Sequence, residues 1–454
     1  MAGRVAEAVM EQEIKNEMKQ RILAELDMSQ EIDDMEVRRL VDQCIMEYKG
    51  MTELPLPARI KLRKELFNTV RRMDVLSEFL EDESVTEIMI NGYDNIFIER
   101  SGRVYKVDQT FENEERLASI IQQIVAGCNR IVNEAVPIVD ARLADGSRVN
   151  VVLPPISLNG PTMTIRKFPK EKMTMERLIE VGALSEDAAE FLKRLVKARY
   201  NIFVSGGTGA GKTTFLNALS DYIPQQERVI TIEDSAELQL KNVVNLVRLE
   251  SRNSNVEGTN AVTIRELIKS SLRMRPDRVI VGEVRDAAAI DMLAAMNTGH
   301  DGSLSTGHAN SSGDMITRLE SMVLMGMELP LEAVRRQIAS AVDVIIHLGR
   351  LRDGSRKVLE IAEVTGMREG LVELHTIYEF EEMVAGEEQE VTDMVYAAAG
   401  TLSEQNVTDG FQLQKVTGRL RARAELLHQE KFLHAGIAYK SVLCAEVRSE
   451  GAGV

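Results

Sequence analysis

The chain has 454 residues, 55 lysines and arginines against 71 aspartates and glutamates, a formal charge of −16 and 44% hydrophobic residues. That size allows two or more domains with cores of their own, while the acidic balance and the lack of tryptophan argue against nucleic acid as the main partner. Cys44, Cys128 and Cys444 form no metal-spaced pair, as in a reduced, cytosolic protein; no apolar run reaches the length of a membrane helix, and the N-terminus shows no signal pattern.

In chain order, Ile14, Met18, Ile22 and Leu26 recur on one helical face. Val37, Leu40, Val41, Cys44, Ile45 and Tyr48 repeat the pattern, which predicts amphipathic helices. Gly50, Pro55 and Pro57 interrupt it before a further helical stretch over residues 59–80. Residues 1–80 therefore read as a helical module whose methionine-bearing stripes are packing surface. From Val85 the apolar period changes to two, with turns at Asn91-Gly92 and Ser101-Gly102. Strands are expected over residues 86–90, 95–99, 103–105, 149–153 and 163–166, with a helix over 114–128. Residues 81–168 read as an α+β domain, and residues 169–172 as a hinge.

After a mostly helical stretch over residues 178–198, the apolar run Ile202-Phe203-Val204 leads into Ser205, then Gly206, Gly207, Thr208, Gly209, Ala210, Gly211, Lys212, Thr213 and Thr214, and then Phe215-Leu216. This is strand, glycine loop and helix, and residues 206–213 fit the phosphate-loop pattern in its proper context. Glycines let backbone N–H groups turn toward a polyphosphate without a Cβ in the way, and the helix adds its positive end. Lys212 is expected to reach the β and γ phosphates, and the Thr213 hydroxyl to ligate magnesium.

Two further apolar runs end in acids, residues 228–234 with Glu233 and residues 278–283 with Glu283. Strands alternating with helices imply a parallel sheet with its ligand at the strands' carboxyl ends, so both glutamates are expected at the edge that carries the loop. Residues 297–310 are rich in small polar residues, include His300 and His308, and read as a site loop. A role for either histidine in satisfying a buried carbonyl stays open at this point. Residues 342–347 read as another strand, residues 386–390 as an acidic linker, and Lys415, Arg419, Arg421 and Arg423 as a solvated basic helix face.

Together these stretches resemble the secretion ATPase superfamily that powers type II and type IV secretion and type IV pili, most nearly its tight-adherence, or Flp pilus, assembly branch. The resemblance covers residues 55–375 and rests on four signatures in the family's order. Residues 206–213 match its Walker A loop, 230–238 its acidic box, 272–285 its Walker B and 302–310 its histidine box. There are two departures. Gly282 stands where most phosphate-loop ATPases end the Walker B strand in Asp, a feature the family shares, and Asp286-Ala287-Ala288-Ala289 stands where relatives often carry Gly-Gly-Glu.

The resemblance implies an α/β fold: a RecA-like phosphate-loop NTPase core with a parallel-rich sheet over residues 169–380, preceded by the α+β domain and the helical module. Residues 381–454 form a C-terminal extension, partly linker. It also implies a hexamer that hydrolyses ATP with magnesium, in the cytoplasm at the inner face of the membrane, acting on an inner-membrane pilus or secretion platform. Glu283 is expected to polarise the attacking water and Glu233 to act as co-ligand or second base. Thr213, Glu233 and Glu283 are the expected magnesium set, with the two glutamates in its outer sphere, and His308 is the expected nucleotide-state sensor. Arg142 and Arg148, with Arg166 beside them, match positions that lie near the phosphates in relatives. Three alternatives remain at this point: a RecA-like nucleic-acid motor, a small-molecule kinase and a nucleotide-binding scaffold that does not hydrolyse.

Overall fold

The period-two alternation that begins at Val85 folds, in the computed structural model of the chain, into an antiparallel sheet. Its strands are β1 (Val85–Asn91), β2 (Ile96–Arg100), β3 (Arg103–Lys106), β4 (Ile138–Arg142), β5 (Arg148–Val152) and β6 (Thr162–Arg166), in the order β3-β2-β1-β6-β5-β4. The structure describes residues 18, 21–22, 34–47, 59–60, 62–63, 66, 75–100, 102–128, 130–168, 173–252, 261–382 and 416–443. The chain divides into two compact units, Met1–Lys170 and Glu171–Val454.

In the first unit, α1 (Asp34–Glu47) buries Leu40, Val41 and Cys44, and Met18 and Ile22 are buried too. Ile14, Leu26, Tyr48 and half of the expected helix over residues 59–80 lie outside the described residues; the described part includes helical positions 59–60, 62–63 and 66 and α2 (Leu76–Glu81). Helix α3 (Glu114–Gly127) starts where the Asn113 side chain accepts the Arg116 N–H at 2.8 Å, and it lays Leu117, Ile120, Ile121 and Ile124 into the core with Ile88, Ile90 and Ile165. Strand β4 escapes a reading by apolar period because it is an edge strand: only Val139 is buried, with Ala141 packed partly against the core, and Asp140 accepts a 2.9 Å hydrogen bond from Asn150 across the ladder.

The second unit contains α4 (Met175–Glu180), α5 (Glu186–Lys197), β7 (Ile202–Gly206), α6 (Lys212–Ser220), β8 (Arg228–Glu233), β9 (Asn245–Glu250), α7 (Ile264–Ser271), β10 (Arg278–Val281), α8 (Ala288–Asn297) and β11 (Leu304–His308). It continues with α9 (Ser312–Gly326), α10 (Leu331–Ala341), β12 (Val344–Arg350), β13 (Arg356–Arg368), β14 (Leu371–Glu382), β15 (Gly418–Ala422) and α11 (Glu430–His434). Its sheet runs β15-β14-β13-β12-β7-β11-β10-β8-β9, parallel from β12 to β9 and antiparallel from β12 to β15. Helices cover both faces, so β7 is buried at every position: Ile202 and Val204 pack with α5 and α6, and Phe203 with α8 to α10. This is the expected α/β, RecA-like core.

Two expectations are corrected. The first is the site loop over residues 297–310, five residues of which, Leu304–His308, form the central strand β11, buried up to Gly307. Its small polar residues are there because β7 and β10 close in on either side: the Thr306 hydroxyl donates to Gly282 O at 2.6 Å, and a Cβ on Gly307 would stand 2.9 Å from the Phe203 ring. The second is the basic run, which is an edge strand rather than a solvated helix face. Leu420 and Ala422 point inward, while Arg421 and Arg423 pair with Glu381 and Glu379 of β14 at 2.8 and 3.1 Å. Lys415 lies outside the described residues.

Residues 416–443 share the core of this unit through Leu420, Ala422, Leu426 and Phe432. Lys431 of α11 reaches Asp301, just before β11, at 2.8 Å and Asp343, just before β12, at 2.6 Å. Asp343 in turn accepts the Asn201 N–H at 2.6 Å at the foot of β7. The C-terminal segment therefore braces the starting ends of strands whose other ends carry the chemistry. No helix among the described residues is long and apolar enough to cross a membrane.

Candidate active site

The phosphate loop leaves β7 at Gly206, where a Cβ would stand 2.5 Å from the Leu348 carbonyl oxygen of β12, so only glycine fits. Gly209 and Gly211 turn with φ of 72° and 92°, and Gly211, at the N-cap of α6, offers no capping side chain. Gly207 and Thr213 are half-buried, Thr208, Gly209 and Thr214 are exposed, and Ala210 is buried. The first-turn amides of α6 are thus left for an anion, which suits the nucleotide-binding role expected of residues 206–214.

Strand register brings the distant candidates to this loop. His308 closes β11 directly opposite Gly206 of β7, and β10 runs beside β8 so that Glu283 and Glu233 leave the same sheet edge. Lys212 Nζ donates to Gly206 O at 3.1 Å and to Gly207 O at 3.0 Å, and stands 3.3 Å from His308 Nδ1. His308 Nε2 lies 2.9 Å from Glu283 Oε1, and Arg285 Nη2 donates to Glu283 Oε2 at 2.7 Å. The result is one chain of alternating roles, Lys212 to His308 to Glu283 to Arg285.

The electrostatics follow from that order. Burial and the neighbouring Lys212 push His308 below the usual histidine value, so it is a neutral imidazole whose Nδ1 can accept from the ammonium. Burial also lowers Lys212, against the pull of Glu283. For Glu283, burial pushes upward, but the Arg285 hydrogen bond and the charges of Arg285 and Lys212 outweigh it and hold the carboxyl below its ordinary value. Although His308 is close, Glu283 Oε1 has no aligned hydrogen-bond donor among the described residues.

Glu233 is the opposite case. It is 3% exposed, and burial pushes its carboxyl up to about 7 even though Oε2 accepts the Glu237 and Leu238 N–H groups at 2.7 and 2.9 Å. Its Oε1 is buried and has no hydrogen-bond partner among the described residues. Gly282 makes room for it, since a Cβ there would stand 2.8 Å from Glu233 Cγ. An Asp at that strand end would displace this glutamate. Because the folded value, about 7, lies above the unfolded 4.5, the native state favours the protonated form. Stability from this group is complete below pH 4.5 and lost as pH rises through 7. Glu233→Gln, which keeps an acceptor for the two N–H groups, is therefore expected to stabilise the nucleotide-free protein at pH 8 by about 2 to 3 kcal/mol. That advantage should fade toward pH 5. Urea unfolding at the two pH values checks it, and equal differences at both would contradict it.

His300 takes the structural role left open for it, with Nδ1 3.2 Å from Ala295 O near the end of α8. Arg142 and Arg148 lie in the first unit. Arg142 of β4 stands opposite Arg148 of β5, which stands opposite Arg166 of β6, so three arginines form one row across the sheet. Like charges directly opposite one another are unfavourable, and Glu87 of β1, opposite Arg166, offsets part of that cost. Arg142 Nε also donates to Gly146 O at 3.2 Å. Arg285 was visible only as part of a motif, with no role attached. Arg356 carried no signal at all: its Nε donates to Gly209 O at 2.8 Å across 147 residues of sequence.

Residues 71–426 match the family described as type II/IV secretion system protein. A Mycobacterium tuberculosis protein named for conjugal transfer is 34% identical over 331 residues, 72% of this chain and 93% of its own length. The type IV secretion system protein VirB11 of Brucella suis is 33% identical over 322 residues, 64% of this chain and 88% of its own. The crystal structure of the VirB11 ATPase from the same organism, in complex with sulphate, aligns at 31% identity over 63% of this chain and 92% of its own, with a TM-score of 0.36. The chain belongs to the type II/IV secretion system protein family and is one of its ATPases.

Proposed function

We propose that this ATPase is a homohexameric motor of the tight-adherence (Flp pilus) branch. It couples ATP hydrolysis to pilus assembly or retraction, or to protein secretion, through an inner-membrane platform protein, and it works from the cytoplasmic side. The observation that carries the hydrolytic part is the contact chain from Lys212 through His308 to Glu283, built on three neighbouring strand ends at the mouth of the phosphate loop. For the secretion context, support comes from relatives named for conjugal transfer and type IV secretion.

In this reading the loop amides bind the phosphates, and Lys212 turns from the Gly206 and Gly207 carbonyls to the β and γ phosphates. Among the described residues no group of three or more His, Cys, Asp or Glu could hold a metal ion alone. That suits magnesium, which takes few protein ligands and shares phosphate oxygens and water. The Thr213 hydroxyl would hold it, with the Glu233 and Glu283 carboxylates in its outer sphere; among the described residues Glu233 Oε1 has no hydrogen-bond partner. When bound, magnesium neutralises the charge shared by the β and γ phosphates. Glu283 aligns the attacking water, and Glu233 is the second carboxylate. His308 reports phosphate occupancy because Lys212 leaves its Nδ1 when the phosphate arrives. Arg142 and Arg148, with Arg166, are read as further arginines that neutralise developing phosphate charge.

Native mass measurement of the full chain, with and without a non-hydrolysable ATP analogue, tests the ring. A six-fold species that grows with the analogue is expected. A strict monomer under both conditions would remove the motor and favour the kinase.

A further inference from the structure

Arg356 opens β13 at the end of the tight β12–β13 turn, and its exposed side chain crosses the phosphate loop. Besides the Nε bond to Gly209 O at 2.8 Å, its Cδ lies 3.5 Å from where a Gly211 Cβ would be. It has no acidic partner among the described residues, so its charge is directed at the loop. The turn that delivers it is itself held: Leu351 N donates to Ser355 O at 2.8 Å, and Asp353 accepts the Ser355 N–H at 2.9 Å and the Val416 N–H at 2.8 Å.

The carbonyl and the N–H of a trans peptide point in opposite directions. Holding the Gly209 carbonyl toward Arg356 therefore turns the Ala210 N–H into the loop, where it meets Gly207 O at a long 3.3 Å. A phosphate oxygen is the better acceptor for that amide. With φ of 72° at Gly209 and 92° at Gly211, the peptide between them has little else to fix it. We propose that Arg356 is a positioning residue for the nucleotide, locking the Gly209–Ala210 peptide in the orientation that receives the phosphates. This rests on the reading of residues 206–214 as the nucleotide cradle.

The test uses the full chain, with Arg356→Ala and Arg356→Lys. Isothermal titration with ADP and with a non-hydrolysable ATP analogue is expected to show both Kd values raised about tenfold in the Ala variant, the effect of one charge-assisted hydrogen bond. The Lys variant should show a smaller rise. KM is expected to rise with Kd while kcat changes little, and the melting temperature without nucleotide should stay at the wild-type value, which a merely structural arginine would not allow. Kd values within twofold of wild type in both variants would overturn the proposal. A loss confined to the ATP analogue would also overturn it, because that marks direct contact with the terminal phosphate. Failure of the wild type to bind either nucleotide would instead strike the cradle reading itself.

Discussion

Glu283→Gln is expected to bind ATP at least as tightly as the wild type and to hydrolyse it about 100- to 10,000-fold more slowly, the range by which a positioned general base accelerates proton transfer. The substitution preserves shape, so the loop, β10 and His308 should keep their places, and only the charge is lost. That charge is unusually well held. Arg285 donates to Oε2 at 2.7 Å, His308 faces Oε1 at 2.9 Å, and the carboxyl sits below its ordinary value despite burial. It is therefore ionised throughout the neutral range, and its ability to accept a proton from water fades only in acid. Removing a negative charge beside the phosphates also removes a repulsion, so affinity is not expected to fall. Single-turnover phosphate release with prebound ATP separates the two effects. Equal release rates for wild type and variant would end this assignment.

Lys212→Ala is expected to abolish measurable nucleotide binding, a loss on the order of 100-fold or more for an ammonium with several charge-assisted contacts to phosphate. Its effect on the nucleotide-free fold should be the reverse of harmful. Lys212 is 8% exposed, its ammonium's neighbours are two carbonyls and an imidazole, and burial lowers its pKa. A lysine lowered on folding destabilises the native state at neutral pH, where the unfolded chain keeps its proton more readily. Wild-type protein should therefore melt at a higher temperature when ADP is added, while the variant melts at an unchanged temperature with or without it. A normal ADP-dependent shift in the variant would contradict the role given to this lysine.

Arg142 and Arg148 show how partial a sequence reading can be. Their kind of role came from the family resemblance, whereas the row they form with Arg166 comes from the register of three antiparallel strands. Strand β11 shows the opposite failure. Its sequence, Leu-Ser-Thr-Gly-His, carries one large apolar residue and reads as a loop. It is a buried central strand because Thr306 finds a carbonyl and Gly307 leaves room for Phe203. Likewise, the basic run near Arg421 is a strand because Glu379 and Glu381 of β14 lie beside it.

By itself the sequence determined the parts whose physics is local. The phosphate loop was legible because strand end, glycines, lysine and helix start lie within a few positions of one another. Strands β7, β8, β10 and β12 were legible because burial on both faces demands continuous apolar runs. Only the tertiary structure decided which distant groups meet: His308 beside Lys212, Arg285 on Glu283, Glu233 in the space left by Gly282, and Arg356 on Gly209. Each of these contacts depends on strand order and register, which arise from packing elements far apart in the chain and leave no mark on the spacing of residues along it.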